Sequence, residues 1–315
     1  MADHFQAERV DPSVIKLGPG TLIGAFVRAC RPSQWTKNLV VFAAVFFTRK
    51  ITDPTALATA SLAFILFSFL SSAVYIVNDI LDRNEDRQHP QKRNRPIASG
   101  ALPIPVAAVG GAALAITALA LGFRLSVPFG MTLLTYFVLN LLYSIKLKEV
   151  VGLDVLLISI GFVLRAIGGV EALVGRVDDV LLSPWLLVCT LFLSLFLALS
   201  KRRVELATLG DSAIGHRAVL GEYSKTLVDH LIVVVASSTI VSYTIYTIWP
   251  DTVSKFGTDK LVYTVPFVVY GIFRYLYLVF RKNTGGNPSE VLYKDRPILL
   301  TMLLWVGVTF VIIFR

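Results

Sequence analysis

The chain is short of charge, of cysteine and of histidine, and each shortage closes off a class of protein. Only 16% of its 315 residues are charged, where a soluble domain carries about a quarter. With 55% hydrophobic residues, there is more apolar surface than a protein core can hide, and lipid is the economical partner for the excess. Two cysteines, Cys30 and Cys189, lie in separate apolar regions and make neither a disulfide framework nor a metal-ligand spacing. The histidines, His4, His89, His216 and His230, include no pair spaced for zinc. Residues 1–19 are polar and lack an apolar core, so they are not expected to form a cleavable signal peptide. Residues 1–20 are read as a flexible cytoplasmic tail, and 21–315 as a single transmembrane helical domain.

Long apolar runs, by contrast, are plentiful. Nine stretches are long enough to span or nearly span a bilayer: roughly 33–49, 56–80, 103–123, 126–145, 151–173, 183–200, 227–249, 260–280 and 297–314. The predicted class is all-α, a polytopic membrane protein of about nine transmembrane helices. Pro103, Pro184 and Pro297 fall near predicted helix starts, where a missing N–H costs least. Lys and Arg set the orientation. The N-terminal segment and the even-numbered connections hold twenty-one of them, and the odd-numbered connections hold six. That asymmetry puts the N-terminus and the long polar connections, 81–102 and 201–226, in the cytoplasm of a cell (inner or plasma) membrane. The net charge of +9 then reads as topology plus anionic substrates and lipids rather than nucleic acid.

The second predicted helix runs into Asn78-Asp79-Ile80-Leu81-Asp82-Arg83-Asn84-Glu85-Asp86. On a continuing helix Asp79, Asp82 and Asp86 are spaced i, i+3 and i+7 and share a face. Three carboxylates on one face repel each other unless a cation sits among them, and hard oxygen ligands suit Mg²⁺ bridging to phosphates. The bland alternative is a solvated acidic helix end. A basic loop follows, with Lys92 and Arg95, which either anchors the cytoplasmic face or grips phosphate oxygens. Arg165 lies deep in the fifth predicted helix, facing either a carboxylate partner or a phosphate in a cavity. Arg274 is two turns inside the eighth and could snorkel. Tyr143 and Lys146 are three residues apart and project to one side. Gly161, Gly168 and Gly169 are expected to allow close helix contact.

The run from Tyr75 to Gly100 resembles the first signature of the UbiA superfamily of membrane prenyltransferases: an Asn-Asp-x-x-Asp-x-x-x-Asp motif, a basic loop and Arg-Pro-Ile. The resemblance implies nine helices around a central cavity, and Mg²⁺ held by Asn78, Asp79, Asp82 and Asp86 against a diphosphate. Members typically have a second Asp-rich motif after helix six. Here that place reads Lys201-Arg202-Arg203-Val204-Glu205-Leu206, which exchanges a metal-bridged contact for direct cation contacts and suits a substrate with an additional phosphate. The departure resembles the decaprenyl-phosphate phosphoribosyltransferase branch. So do Arg31 to Asn38, Tyr143 to Lys148, Glu149 to Gly169, and Asn287-Pro288-Ser289-Glu290 with Asp295-Arg296.

The implied activity is transfer of 5-phosphoribosyl from 5-phosphoribosyl 1-diphosphate to a polyprenyl (decaprenyl) phosphate, feeding arabinose-containing cell-envelope polymers. Asp79 and Asp82 are the expected catalytic residues. The expected substrate contacts are Lys37, Lys92, Arg95, Tyr143, Lys146, Arg165, Lys201, Arg202 and Glu205. Lys201 and Arg202 would take a phosphate, for instance the ribose 5-phosphate. Two other readings compete: a prenyltransferase acting from prenyl diphosphate, which needs the missing second acidic motif, and a transporter, which Arg165 alone would fit.

Overall fold

A computed structural model describes residues 19–177, 183–209, 218–286 and 288–315, and their regular secondary structure is entirely helical. The expected tail at 1–20 lies almost wholly outside these residues, as do His216, Arg217 and Asn287. In chain order the helices are α1 (Pro19–Cys30), α2 (Ala43–Phe47), α3 (Pro54–Leu81), α4 (Arg83–Gln88), α5 (Ile104–Leu125), α6 (Val127–Ile145) and α7 (Leu153–Leu173). They continue with α8 (Pro184–Leu209), α9 (Lys225–Ile248), α10 (Pro250–Phe256), α11 (Val265–Lys282), α12 (Pro288–Lys294) and α13 (Arg296–Phe314). Eight of them, α3, α5 to α9, α11 (with the 3₁₀ turn before it) and α13, are long and apolar enough to cross a membrane. The protein is a multi-pass membrane protein.

The remaining expected span, 33–49, is built differently. Pro32–Phe42 is a 3₁₀ segment, and only Ala43–Phe47 is α-helical. Its first half carries Ser33, Gln34, Thr36, Lys37 and Asn38; Ser33 and Thr36 stay exposed, whereas Asn38 is fully buried and hydrogen-bonded to Ser68 (3.0 Å) and Ser71 (3.4 Å) of α3. The apolar helix α1, absent from the sequence reading, precedes this segment. Arg31 joins the two in the left-handed region at φ 52°, a conformation that costs a non-glycine residue energy and is found where the surroundings impose it.

Side-chain caps fix the long helices. Asp53 accepts from the N–H of Thr55 (2.8 Å) and Ala56 (3.2 Å) ahead of α3, and Ser224 accepts from Leu227 (3.1 Å) ahead of α9. Ser126 is the whole connection between α5 and α6. Its hydroxyl accepts from the Phe129 N–H (3.1 Å) and donates to the Glu171 carbonyl of α7 (2.7 Å). Phe67 of α3 packs edge-on against Phe129 (5.9 Å) and Tyr136 (5.6 Å) of α6. A second core joins α8, α9 and α11 through Phe196, Ile232 and Tyr275. Gly169 lets the 3₁₀ segment approach α7, since a Cβ there would stand 2.3 Å from the Val41 carbonyl oxygen. Outward-facing residues such as Val109 (72% exposed) and Ile116 (67%) meet lipid rather than water.

Candidate active site

The ends of α3, α6 and α8 and the starts of α7 and α9 meet at one end of the bundle. Here α3 and α4 present Asn78, Asp79, Asp82 and Asp86. Helical hydrogen bonding runs through the junction between them, from the Asp82 N–H to the Asn78 carbonyl (2.9 Å) and from the Asp86 N–H to the Asp82 carbonyl (2.8 Å). The expected register therefore survives a slight break at Asp82.

The carboxylates do not converge on one another. Asp79 pairs with Arg31 and, at 3.1 Å, with Arg95; Asp86 pairs with Arg95 at 2.7 Å. Asp82 pairs with Lys148 (2.7 Å) and accepts from the Asn78 amide (2.9 Å). Among the described residues no three His, Cys, Asp or Glu side chains are grouped as metal ligands. Like charges on one helix face repel, and the guanidinium and ammonium groups relieve that repulsion by drawing the carboxylates apart. Arg31 also lies over the Tyr75 ring, 5.1 Å from its centroid.

The donor set nonetheless suits a hard cation. Asp79 is 1% exposed, and its Oδ2 has no hydrogen-bond partner. An orphaned buried carboxylate oxygen is costly. Asn78 and Asp82 add hard oxygen donors of the type that Mg²⁺ takes, not drawn together with it in this arrangement.

Beside this cluster, cations from four segments gather around Lys37. Lys37 of the 3₁₀ segment is within electrostatic range of Lys201, Arg165 and Arg31. Tyr75 is within range of Tyr136, Arg165 and Arg31. Arg165 is 5% exposed and has no carboxylate partner among the described residues, so neither a structural ion pair nor free solvent accounts for it.

The basic run on α8 divides. Arg202 is 1% exposed; its Nε donates to Asp154 (2.8 Å) and its Nη1 to Glu205 (2.9 Å). Asp154 also accepts from the Tyr223 hydroxyl (2.7 Å), which in turn accepts from the Gly152 N–H (2.8 Å). Burial, with the hydrogen bond to Asp154, pushes the Tyr223 hydroxyl up to about 12. Arg203 pairs with Asp229 and lies over Phe280. Arg202 was expected to grip a phosphate; instead its guanidinium is committed to carboxylates inside the bundle. Lys201, 47% exposed and 4.0 Å from Glu205, is the accessible cation of the three.

Other expected residues are more dispersed. Lys92 is half-buried in a 3₁₀ turn, where its backbone N–H donates to His89 Nδ1 (3.2 Å). Tyr143 is half-buried within electrostatic range of Arg202. Lys146 is exposed at the end of α6, outside the ion-pair set. Arg274 does not snorkel freely. It forks onto both oxygens of Asp295 (3.2 and 2.9 Å), which also caps α13 through the Ile298 N–H (3.0 Å). The Arg274 fork holds the Asp295 carboxyl below the usual carboxylate range.

Sequence reading passed over Arg31, Asn38, Tyr136, Asp154 and Tyr223 as site residues, and grouped Lys148 only with Tyr143 and Lys146. Asp154 had a usable signal, a lone acid at the start of an apolar helix. Asn38 and Tyr136 had only their polarity within apolar runs.

The fold and site define a class: a polytopic helical membrane protein with an acidic and a basic cluster at one end of its bundle. Residues 38–293 match the UbiA prenyltransferase family, and the chain belongs to it. It is 34% identical over 304 residues to a decaprenyl-phosphate phosphoribosyltransferase of Corynebacterium glutamicum, covering 91% of this chain and 86% of that one. It is 31% identical over 298 residues to the protein of the same name from Mycolicibacterium smegmatis, covering 92% of each. Among solved structures it resembles a UbiA homologue from Archaeoglobus fulgidus bound to GPP and Mg²⁺. That match has a TM-score of 0.69 at 18% identity, over 92% of this chain and 100% of the other.

Proposed function

We propose that this chain transfers the 5-phosphoribosyl group of 5-phosphoribosyl 1-diphosphate to a polyprenyl phosphate of the decaprenyl type, releasing diphosphate. The observation that carries this reading is the absence of a second acidic motif on α8 combined with the gathering of Arg31, Arg165 and Lys201 within electrostatic range of Lys37. Such a cluster of cations suits a donor with phosphate at both ends. The relatives named for this activity match over most of both chains.

In this reading Asn78, Asp79, Asp82 and Asp86 would hold Mg²⁺, which when bound supplies positive charge to the leaving diphosphate. Arg95 and Arg31, already at the carboxylates, are placed to take diphosphate oxygens. Lys201 and Lys37 hold the ribose 5-phosphate at the other end. A lipid phosphate oxygen bonds to ribose C1 as the C1–O bond to diphosphate breaks, and the bonding pair leaves with diphosphate. A phosphate monoester is already anionic at neutral pH, so no strong general base is needed, and positioning with charge stabilisation carries the rate.

The Lys/Arg asymmetry supports a cytoplasmic position for this face. A single cysteine at Gln91 in a cysteine-free variant should be shielded from impermeant thiol reagents in intact cells, and one at Ser254 should be labelled. The reverse pattern overturns the orientation. The reaction itself is tested by offering purified protein ribose-labelled phosphoribosyl diphosphate with decaprenyl phosphate and, separately, labelled prenyl diphosphate with aromatic acceptors. Label from the first should enter the lipid. Label only from the second would make the chain a prenyltransferase.

A further inference from the structure

The wall that descends from the carboxylates is polar well into the bilayer. Along α3, Tyr75, Ser72, Ser71 and Ser68 follow Asp79 at helical spacing. The 3₁₀ segment packs onto this face, with Trp35 Nε1 donating to Ser72 (3.1 Å) and the Asn38 amide to Ser68. From the opposite side α7 brings in Arg165. Its Nε donates to Asn38 Oδ1 (2.7 Å), its Nη1 to the Gly161 carbonyl (2.7 Å) and its Nη2 to the Tyr136 hydroxyl (2.8 Å). The guanidinium carbon also stands 4.8 Å from the Tyr136 ring centroid and 5.1 Å from that of Phe162.

Each of these partners is neutral. A guanidinium has five N–H groups, and the three bonds leave two unspent together with the whole charge. A charge inside a spanning helix is retained where it faces a polar cavity or an anion. Tyr75 and Lys37, each in electrostatic range of both Arg165 and Arg31, lie between this charge and the Arg31–Asp79 pair.

We propose that Arg165, oriented by Asn38, Gly161 and Tyr136, is the selectivity element of the donor site: it receives the hydrophilic side of a sugar diphosphate and excludes the hydrocarbon of a prenyl diphosphate. The inference rests on the phosphoribosyl-transfer reading and names the residue that enforces it. Both donor classes bring the same diphosphate to Asn78–Asp86 and differ only in what trails behind. Ribose hydroxyls and phosphate oxygens can accept the two spare N–H groups. An isoprene chain strips water from them and returns nothing, and a site with unpaired donors rejects such an analogue strongly. Three fixed hydrogen bonds keep the guanidinium from swinging aside. The hydrocarbon of the polyprenyl acceptor then lies outside this site, against lipid.

The test is competition on the purified full chain with Mg²⁺, displacing labelled phosphoribosyl diphosphate with inorganic diphosphate or with geranyl diphosphate. In the wild type, geranyl diphosphate should compete more weakly than inorganic diphosphate by on the order of tenfold or more. Arg165→Met should remove that gap and weaken phosphoribosyl diphosphate binding. Arg165→Lys, which keeps the charge, should keep the gap. Where Arg165→Met lowers the yield of folded protein, Asn38→Ala and Tyr136→Phe, which each release one of the bonds that orient the guanidinium, should narrow the gap, and an unchanged gap in both overturns the role of Arg165. Geranyl diphosphate competing as well as inorganic diphosphate, while labelled ribose still enters the lipid, overturns the selectivity inference and leaves the transfer reading standing. Labelled ribose that never enters the lipid overturns the transfer reading itself.

Discussion

The acidic cluster on α3–α4 and the basic cluster on α8 are near inversions of each other. In the first, the helix supplies carboxylates and other segments supply the cations Arg31, Arg95 and Lys148. In the second, the helix supplies cations and other segments supply the carboxylates Asp154 and Asp229. They differ in hydration. The cations of the first cluster have side chains 25–27% exposed, over carboxylates that are themselves buried at Asp79 (1%) and Asp86 (3%), whereas the Arg202 side chain is 2% exposed against a fully buried Asp154. A cation that keeps part of its hydration can leave a partner at lower cost than one that has lost it. Breaking a buried pair strands a charge in a medium that cannot solvate it. On the proposed reading the acidic end trades its arginines for other cations, while Arg202 is a strut that ties α7 to α8 and Lys201 is the accessible cation.

The largest effect should come from the exchangeable end. Asp79→Ala or Asp82→Ala should abolish transfer while the protein still inserts and folds, and EDTA should do the same to the wild type until Mg²⁺ is restored. Full activity in EDTA would remove the metal site from the account. At the strut, Arg202→Gln should destabilise the fold by about 3–5 kcal/mol, read as a lower melting temperature in detergent. An Arg202→Gln protein of normal stability with weakened donor binding would erase the distinction between the two ends. Its neighbour should behave the other way: Lys201→Gln should raise the donor KM on the order of tenfold at unchanged melting temperature. The smallest effect belongs to the Arg274–Asp295 pair, where Asp295→Asn should cost about 1 kcal/mol as a weakened cap. Because the folded protein holds the Asp295 carboxyl low, its contribution is present above the ordinary carboxylate range. It is lost as pH falls through the folded value, so the gap between wild type and variant should close on acidification.

Much of this was legible in the sequence because a bilayer imposes length and polarity together. α3, α5 to α9, α11 and α13 follow from apolar runs and flanking prolines. The Asn78–Asp86 register follows from spacing on one helix. The 3₁₀ segment was not legible, because the polar groups of Trp35 and Asn38 are satisfied by partners remote in sequence: Ser68, Ser71 and Ser72 on α3 and Arg165 on α7. Nor could spacing tell Lys201 from Arg202. The two are adjacent, and only the position of Asp154, 48 residues away, decides which one is buried. Gly168 and Gly169 do allow close contact, with Phe67 and Val41 respectively, whereas Gly161 makes room only at ordinary contact distance.

The one-residue join at Ser126 bears on how the chain enters the membrane in the first place. With Leu125 closing one helix and Val127 opening the next, there is no slack for one arm to cross and wait. A lone arm would leave its partner's apolar face in water, so α5 and α6 must insert as a hairpin during synthesis. Lengthening this join should therefore be felt first in biogenesis, as mis-threaded or degraded chains, before any change in turnover of the molecules that assemble correctly.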